Sequence, residues 1–139
     1  MRVHSEQIRI QTKKENDVVD LTDSVREILE KSKLMNGLAT VFLTGSTGAI
    51  TTIEYEPGLI QDFSTMLQRV IPKDIEYEHE KMWHDGNGHS HIRASLIGPS
   101  LTIPVMNGEL ALGTWQQVVF VEMDTRPRER NIVVQLLGE

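Results

Sequence analysis

Apolar residues alternate with polar ones near the start of the chain and then recur at helical spacing. Residues 2–12 alternate loosely, with apolar positions on one face, which predicts a first strand. Asp20 or Thr22 can cap a helix that follows, and Gly37 is a suitable residue to end it. The apolar face of this predicted helix consists of Leu21, Val25, Ile28 and Leu29.

The middle of the chain predicts two strands and a second helix. The segments 38–43 and 50–53 have the β-branched and apolar composition of strands, and a glycine-containing turn separates them. Pro57 suits the first turn of a helix, and Pro72 ends it. The side chains expected to face inward from this helix are Leu59, Ile60, Phe63, Met66, Leu67 and Val70.

From Gly88 onward the pattern predicts strands only. Asn107 and Gly108 form the strongest hairpin signal, because both central residues of a type I′ turn take a positive φ. The predicted strands are 89–97, 101–106, 109–112, 115–123 and 131–137. Two early helices followed by a run of strands indicate a sheet-rich α+β protein, which we expect to form one domain over residues 1–139.

Composition and charge narrow the classes of partner. Hydrophobic residues make up 39% of the 139 residues and charged residues 24%, which is typical of a globular chain. The net charge of −6 disfavours a nucleic-acid partner, since such domains present a basic face. No apolar run is long enough to span a membrane and none resembles a signal peptide, so we expect a cytoplasmic protein. With no cysteine, any metal ligand must be nitrogen or oxygen.

Histidines concentrate in one segment, which reads Y-E-H-E-K-M-W-H-D-G-N-G-H-S-H-I-R-A-S. If 89–97 is a strand, alternation places one polar set on a single face: His89, His91, Arg93 and Ser95. Two imidazoles about 7 Å apart along a strand can converge on one ion. We therefore expect a divalent metal, zinc or magnesium, with His79 as a further ligand.

Two alternatives to that metal site stay open. The histidines could form an ordinary polar surface, or they could bind a phosphate together with Arg93 and without a cation. Asp85 and Asn87 precede the segment in a glycine-rich loop, where they could supply oxygen ligands or fix the tautomer of a histidine. We expect Asp85, His89 and Arg93 to take part in catalysis.

The turn T-G-S-T-G-A between the two middle strands is a candidate phosphate-binding loop. Its residues Ser46, Thr47 and Gly48 could offer hydroxyl and backbone N–H groups to an anion. It lacks the lysine and the following helix of a P-loop, and a plain hairpin connection remains the alternative. Glu54, after the next strand, is a candidate general base, ligand or surface residue.

A small basic cluster precedes the last predicted strand. Arg126, Arg128 and Arg130 alternate, so an extended chain would place them on one face as a clamp for an anion. Arg126 and Arg128 are accordingly candidate phosphate-binding residues. A solvated surface is the competing interpretation.

Taken together, these motifs resemble the YjbQ-like family, also described as secondary thiamine-phosphate synthases. The resemblance covers nearly the whole chain and rests on four stretches: G-S-T-G-A-I-T-T-I-E-Y-E-P-G, the histidine segment continued through L-I-G-P-S, G-E-L-A-L-G-T-W-Q-Q, and D-T-R-P-R-E-R. It implies a sandwich-like α+β fold with antiparallel-rich sheets and two main helices, and a homotrimer. It also implies condensation of hydroxymethylpyrimidine diphosphate with a thiazole phosphate.

Three functions therefore compete. The first is a transferase of the thiamine-phosphate kind, with a small phosphorylated metabolite as its substrate. The second is a non-enzymatic protein that binds such a metabolite or a metal. The third is a metal-dependent hydrolase in which Glu54 or Asp85 is the base.

Overall fold

The chain forms eight strands and four helices in the computed structural model, which describes residues 1–139. The strands are β1 (Arg2–Gln11), β2 (Val18–Asp20), β3 (Gly37–Leu43), β4 (Gly48–Ile53), β5 (Ser100–Met106), β6 (Glu109–Leu110), β7 (Gln117–Glu122) and β8 (Glu129–Gly138). The helices are α1 (Thr22–Ser32), α2 (Pro57–Val70), α3 (Glu78–Trp83) and α4 (Gly88–Ile97).

The strands form two antiparallel sheets. The larger sheet has the order β1-β8-β3-β5-β6, and the smaller has the order β2-β7-β4. Every strand pair is antiparallel. The predicted α+β class with antiparallel-rich sheets is confirmed.

Two apolar cores lie on the two faces of the smaller sheet. The first core joins the larger sheet and α1 to the smaller sheet, and the second joins the smaller sheet to α2 and α4. Strand β7 serves both, with Val118 and Phe120 in the first core and Val119 and Val121 in the second. This explains the unbroken apolar run of β7, because a strand covered on both faces has no solvent side to leave polar.

Helix α1 begins at Thr22, with Leu21 rather than Asp20 or Thr22 at the cap position, and it ends early. The Asp20 carboxylate accepts hydrogen bonds from the Thr22 backbone N–H at 2.9 Å and from the Thr22 hydroxyl at 2.7 Å. The helix ends at Ser32, where Lys33 takes the left-handed conformation with a φ of 58°. The sequence predicts that Gly37 ends the helix. In the structure Gly37 instead starts β3.

Helix α2 confirms both predicted ends. Pro57 occupies the first turn, and the Glu56 carboxylate accepts hydrogen bonds from the next two free N–H groups. The expected inward face was too wide, since Met66 and Val70 are exposed. Helix α2 covers the outer face of the smaller sheet along a narrow stripe, in which Leu67 is the only buried residue of the helix.

The predicted hairpin between β5 and β6 is confirmed. Asn107 has a φ of 54° and Gly108 a φ of 78°, and Met106 pairs with Glu109 across the turn. Local turn chemistry determines this feature, so the sequence was sufficient to predict it.

The prediction of a strand over 89–97 is wrong, because this segment forms helix α4. Its buried side chains follow the helical period. Three of them, His89, Ser90 and Arg93, are polar, and Ala94 is apolar. The apolar Ile92 and Leu96 are exposed. In α4, polar side chains face the protein interior and apolar ones face solvent. The spacing of apolar residues therefore does not predict this helix. The short helix α3 was also not predicted.

None of the four helices combines the length and the apolar character that a bilayer crossing demands.

Candidate functional site

A polar cleft lies where α4 begins. Its cavity of about 400 Å³ is lined by Asp85, Asn87, Asp124, Thr125, Arg126 and Arg128. The first two residues belong to the loop between α3 and α4, and the other four to the loop between β7 and β8. We call it the α4 cleft. No apolar side chain lines it, so it suits a charged and hydrated ligand.

His79, on α3, adjoins the α4 cleft through two of its lining residues. Its Nε2 lies 3.2 Å from Asp85 Oδ1. With the Asn87 amide oriented to satisfy its hydrogen bonds, the amide nitrogen lies 3.0 Å from His79 Nε2 and 2.8 Å from Asp85 Oδ1. A protonated Nε2 can donate to the carboxylate, and an unprotonated Nε2 can accept from the amide. Both protonation states of His79 therefore have a partner.

His91 completes the histidine pair at the cleft. The ring centroids of His79 and His91 lie 4.6 Å apart, with the ring planes tilted by 54°. Helix α4 carries His91 towards α3, and His91 is partly exposed. The loop residues Asp85 and Asn87 thus act on a histidine, as the sequence predicted, although the histidine is His79.

Asp124 lies at the floor of the α4 cleft and is almost fully buried. Burial alone would raise its pKa, but hydrogen bonds from Arg128, the Thr125 N–H and Thr47, together with the Arg128 charge, lower that pKa to about 2. The Arg128 Nε and Nη2 atoms lie 3.0 and 2.7 Å from Asp124 Oδ2. Asp124 is consequently a fixed anion at neutral pH, and it orients the guanidinium of Arg128.

Arg126 and Arg128 both line the cleft, as the predicted anion clamp requires. Arg126 is exposed and forms no hydrogen bond or ion pair within the chain. Arg130 does not belong with them. Its side chain is buried against Glu122, with Nε 2.9 Å from Glu122 Oε1, and it stacks over Phe120.

His89 lies on another side of α4, away from His91. Its Nε2 lies 2.6 Å from Glu15 Oε1, in the loop between β1 and β2, and Lys73 Nζ lies 2.6 Å from Glu15 Oε2. Burial would raise the pKa of Glu15, but the hydrogen bonds from His89 and Lys73 outweigh it and the pKa is lowered. His89 is 2% exposed, so it ties the loop to α4 rather than facing a ligand.

Arg93 is also internal. It is 1% exposed, and its Nε and Nη2 atoms donate to the Ile71 carbonyl at 3.0 Å and to Gln68 Oε1 at 2.9 Å. Burial lowers its pKa, which the nearby Glu15 partly offsets. The geometry gives Arg93 a role in holding α4 to the end of α2, and it is not part of the cleft.

Two other predicted residues lie away from the cleft. Ser95 is exposed on α4. Glu54 follows Ile53, which pairs with Gln117, whereas the cleft adjoins the end of the sheet at which Gly48 pairs with Glu122. Five residues of strand separate these ends, or about 17 Å.

The glycine-rich turn places its three predicted residues in different surroundings. Thr47 is buried, and its hydroxyl accepts from Arg130 Nη2 at 2.9 Å and donates to Asp124 Oδ2 at 3.1 Å. Gly48 is required for packing, because a Cβ there would lie 2.5 Å from Phe120 Cε1. Ser46 alone of the three predicted residues is exposed.

The expected metal site is not assembled in this chain. No three histidine, aspartate or glutamate side chains are grouped so that they could hold an ion. His79 and His91 are adjacent, but His89 is bound to Glu15 elsewhere. The residues of one chain therefore do not supply the three or four side-chain ligands that a structural or catalytic zinc ion takes.

Sequence reasoning missed two carboxylates that organise this region. Glu15 holds His89, and the Glu80 carboxylate accepts from the Gly88 N–H at 2.6 Å, which fixes the first turn of α4 against α3. Glu15 lies in a polar stretch without a motif, and Glu80 lies within the histidine segment, where no role is predicted for it. The only sequence feature that pointed to Asp124 was its position just before the arginines of the D-T-R-P-R-E-R stretch.

Comparisons with known proteins agree on one family. The model of the UPF0047 protein YjbQ-like family matches residues 6–139. A UPF0047 protein from Methanothermobacter thermautotrophicus is 40% identical over 139 residues, which covers 100% of this chain and 95% of that protein.

Solved structures of similar proteins share the fold. A protein from Sulfolobus solfataricus, described as YbjQ-like and of unknown function, aligns with a TM-score of 0.95 at 36% identity and covers 99% of each chain. A hypothetical protein from Aeropyrum pernix aligns with a TM-score of 0.91 at 34% identity, over 98% of this chain and 99% of that one. The chain belongs to the YjbQ-like UPF0047 family.

Proposed function

We propose that the α4 cleft binds a small phosphorylated metabolite and that His79 transfers a proton to or from it, so that the protein is an enzyme. The observation that carries this proposal is the position of His79 Nε2 between the Asp85 carboxylate, at 3.2 Å, and the Asn87 amide nitrogen, at 3.0 Å. A histidine with a partner in each protonation state can hold the proton or release it, as proton exchange with a ligand requires.

The charges around the cleft support an anionic ligand. Arg126 has no partner in the chain, and Arg128 is held in place by Asp124 at the edge of the same cavity. Planar guanidinium groups bind phosphate oxygens through paired N–H donors. The absence of apolar lining argues that the charged part of the ligand, rather than a large ring, occupies the cavity.

The resemblance to secondary thiamine-phosphate synthases supplies the first reaction to test. In that condensation, the thiazole nitrogen forms a bond to the methylene carbon of the pyrimidine. The bond from this carbon to the diphosphate oxygen breaks, and its electron pair leaves with the diphosphate. No strong nucleophile of the protein is needed, and cationic groups at the departing oxygens stabilise the transition state. In this proposal Arg126 and Arg128 have that role, and His79 protonates the diphosphate.

The runner-up is a non-enzymatic binding protein that uses the same cleft. The metal-dependent hydrolase is less well supported, since no ready set of ligands exists to hold and activate a metal-bound water.

The test combines binding with turnover. Calorimetric titration of diphosphate should show binding that weakens at least about tenfold in Arg126→Ala, the loss expected for charge-assisted hydrogen bonds. Arg9→Ala is the matched control, since Arg9 is exposed on β1 and does not line the cleft. The pyrimidine diphosphate and thiazole phosphate are then incubated with the protein, with Mg²⁺ and with Zn²⁺, and thiamine phosphate is measured by fluorescence after oxidation.

Formation of product that is lost in Arg126→Ala supports the transferase. Binding without turnover of these or other phosphorylated substrates supports the binding protein instead. Equal diphosphate affinity in Arg126→Ala and Arg9→Ala would show that the cleft is not the site.

A further inference from the structure

The turn between β3 and β4 contains an unused set of hydrogen-bond donors. The backbone N–H groups of Gly45, Ser46 and Thr47 donate to no acceptor in the chain. Gly45 and Ser46 are also exposed. Consecutive free N–H groups in a turn form a concave patch of positive partial charge, which attracts anions. A turn of this kind is common, however, and does not by itself indicate a ligand.

A buried arginine provides the second observation. Arg130 is 7% exposed, and its Nε and Nη2 atoms are fully used by Glu122 and Thr47. Its Nη1 has no hydrogen-bond partner. A Cβ placed on Gly45 would lie 3.2 Å from that Nη1. The free nitrogen is therefore directed at the exposed turn, and the absence of a side chain at position 45 leaves it accessible.

The Nη1 of Arg130 still reaches solvent, since the buried side-chain atoms without a hydrogen-bond partner belong to Asn16, Ser90, Arg93 and Asn131. Water or an anion at Gly45 can therefore accept from it, and an anion would also accept from the three backbone N–H groups. The neighbouring charges do not repel it strongly, because Arg130 neutralises Glu122 and Arg128 neutralises Asp124.

We infer that the turn at residues 45–47, together with Arg130 Nη1, is a second anion subsite for a phosphate group. This inference rests on the proposed function, and it defines the substrate class more narrowly. Asp124 accepts from Thr47 in the turn and from Arg128 in the α4 cleft, so a single side chain separates the two subsites. The ligands of this protein then carry two anionic groups, either on one molecule or on two phosphorylated substrates bound side by side.

The inference also assigns Gly45 a role in specificity. Gly45 does not have a positive φ, so an alanine or aspartate there causes no backbone strain. A side chain at this position would cover Arg130 Nη1, and an aspartate would supply the missing acceptor from within the chain. Gly45→Asp should therefore block the subsite without disturbing the fold.

The test is a titration of the isotope-labelled protein with inorganic phosphate, followed by backbone amide NMR. In the wild type, the amide signals of residues 45–47 should shift, as should those of Asn87 and Thr125 at the α4 cleft. In Gly45→Asp, the apparent affinity reported by the turn should fall about tenfold or more, while the cleft signals still respond. Gly113→Asp is the matched control, since Gly113 lies in another exposed turn with only ordinary contacts around it.

The outcomes separate the two proposals. One result would be that phosphate shifts the amide signals of the cleft in the wild type and not those of the turn. That result would overturn the second subsite and would not contradict the proposed role of the cleft. Equal weakening in Gly45→Asp and Gly113→Asp would also overturn it, because a general charge effect would then explain the loss. Turn amides that shift while the cleft amides do not would support the subsite and contradict the proposed role of the cleft.

Discussion

The rings of His79 and His91 lie 4.6 Å apart across the junction of α3 and α4. His91 is separated from His89 by one residue, yet His89 contacts Glu15 on a different side of α4. Side chains two positions apart on a helix point in nearly opposite directions. The histidine segment therefore divides into a pair beside the cleft and a buried residue that holds the helix in place.

His79→Asn should lower turnover by at least about 100-fold, because general acid–base groups contribute that much or more. The free energy of unfolding should change little, since His79 is partly exposed. His84→Asn is the control, because His84 lies nearby, is exposed, and takes a left-handed conformation that asparagine tolerates. Rates measured with any phosphorylated substrate that the protein turns over check this prediction. Similar rates in both variants would contradict the role of His79.

Glu15→Gln should affect stability rather than chemistry. The change removes the charged partner of both His89 and Lys73, so we expect a loss of about 1–3 kcal/mol in the free energy of unfolding. Turnover per folded molecule should stay near that of the wild type. Urea unfolding and rate measurements on the same sample check both parts. A stable but inactive variant would instead place His89 in the reaction.

Asp124 should make stability depend on pH below about 4. Its folded pKa of about 2 lies below the ordinary pKa of 3.8, so its charged form stabilises the fold above the unfolded pKa. That contribution, about 2 kcal/mol, is lost as the pH falls through the folded pKa. Asp124→Asn should therefore be less stable than the wild type at pH 6, and the gap should narrow towards pH 2. Urea unfolding at a series of pH values measures the gap, and a gap independent of pH would rule out this linkage.

Gly48→Ala should destabilise the fold by about 1–3 kcal/mol, because overpacking a dense core costs that much. The added Cβ would lie 2.5 Å from Phe120 Cε1 and 2.6 Å from Leu43 Cδ2. Gly113→Ala is the control, since its nearest contacts are at 3.6 and 3.8 Å, and we expect a change within about 0.5 kcal/mol. Thermal unfolding compares the two. Equal unfolding temperatures would mean that the core between β4 and β7 accommodates an added methyl group more easily than its geometry indicates.

The homotrimer implied by the family resemblance remains a prediction. The outer face of the larger sheet carries a row of exposed apolar side chains, including Leu38, Phe42 and Leu137. These residues line a surface hollow of about 420 Å³ with Thr40, Val133 and Gln135. We expect a second copy of the chain to cover it, so Leu38→Glu should shift the mass towards the monomer. Light scattering after size exclusion measures this, with Val70→Glu on α2 as the control, an exposed apolar residue that does not line the hollow. A wild-type monomer would contradict the prediction.

The sequence by itself determined the features that depend on local chemistry. The hairpin at Asn107 and Gly108 and the start of α2 at Pro57 follow from backbone preferences, which act over a few residues. The sequence also placed Asp85, Asn87, His79 and Arg128 among the residues of the site.

Only the tertiary structure decided which of these residues meet. The partners of His89 and Asp124 are Glu15, 74 residues away, and Thr47, 77 residues away. Helix α4 buries His89 against Glu15 and Arg93 against the Ile71 carbonyl and Gln68, so its inner face carries little apolar signal. Burial of polar residues depends on contacts made across the fold, and a pattern read along the chain does not contain them.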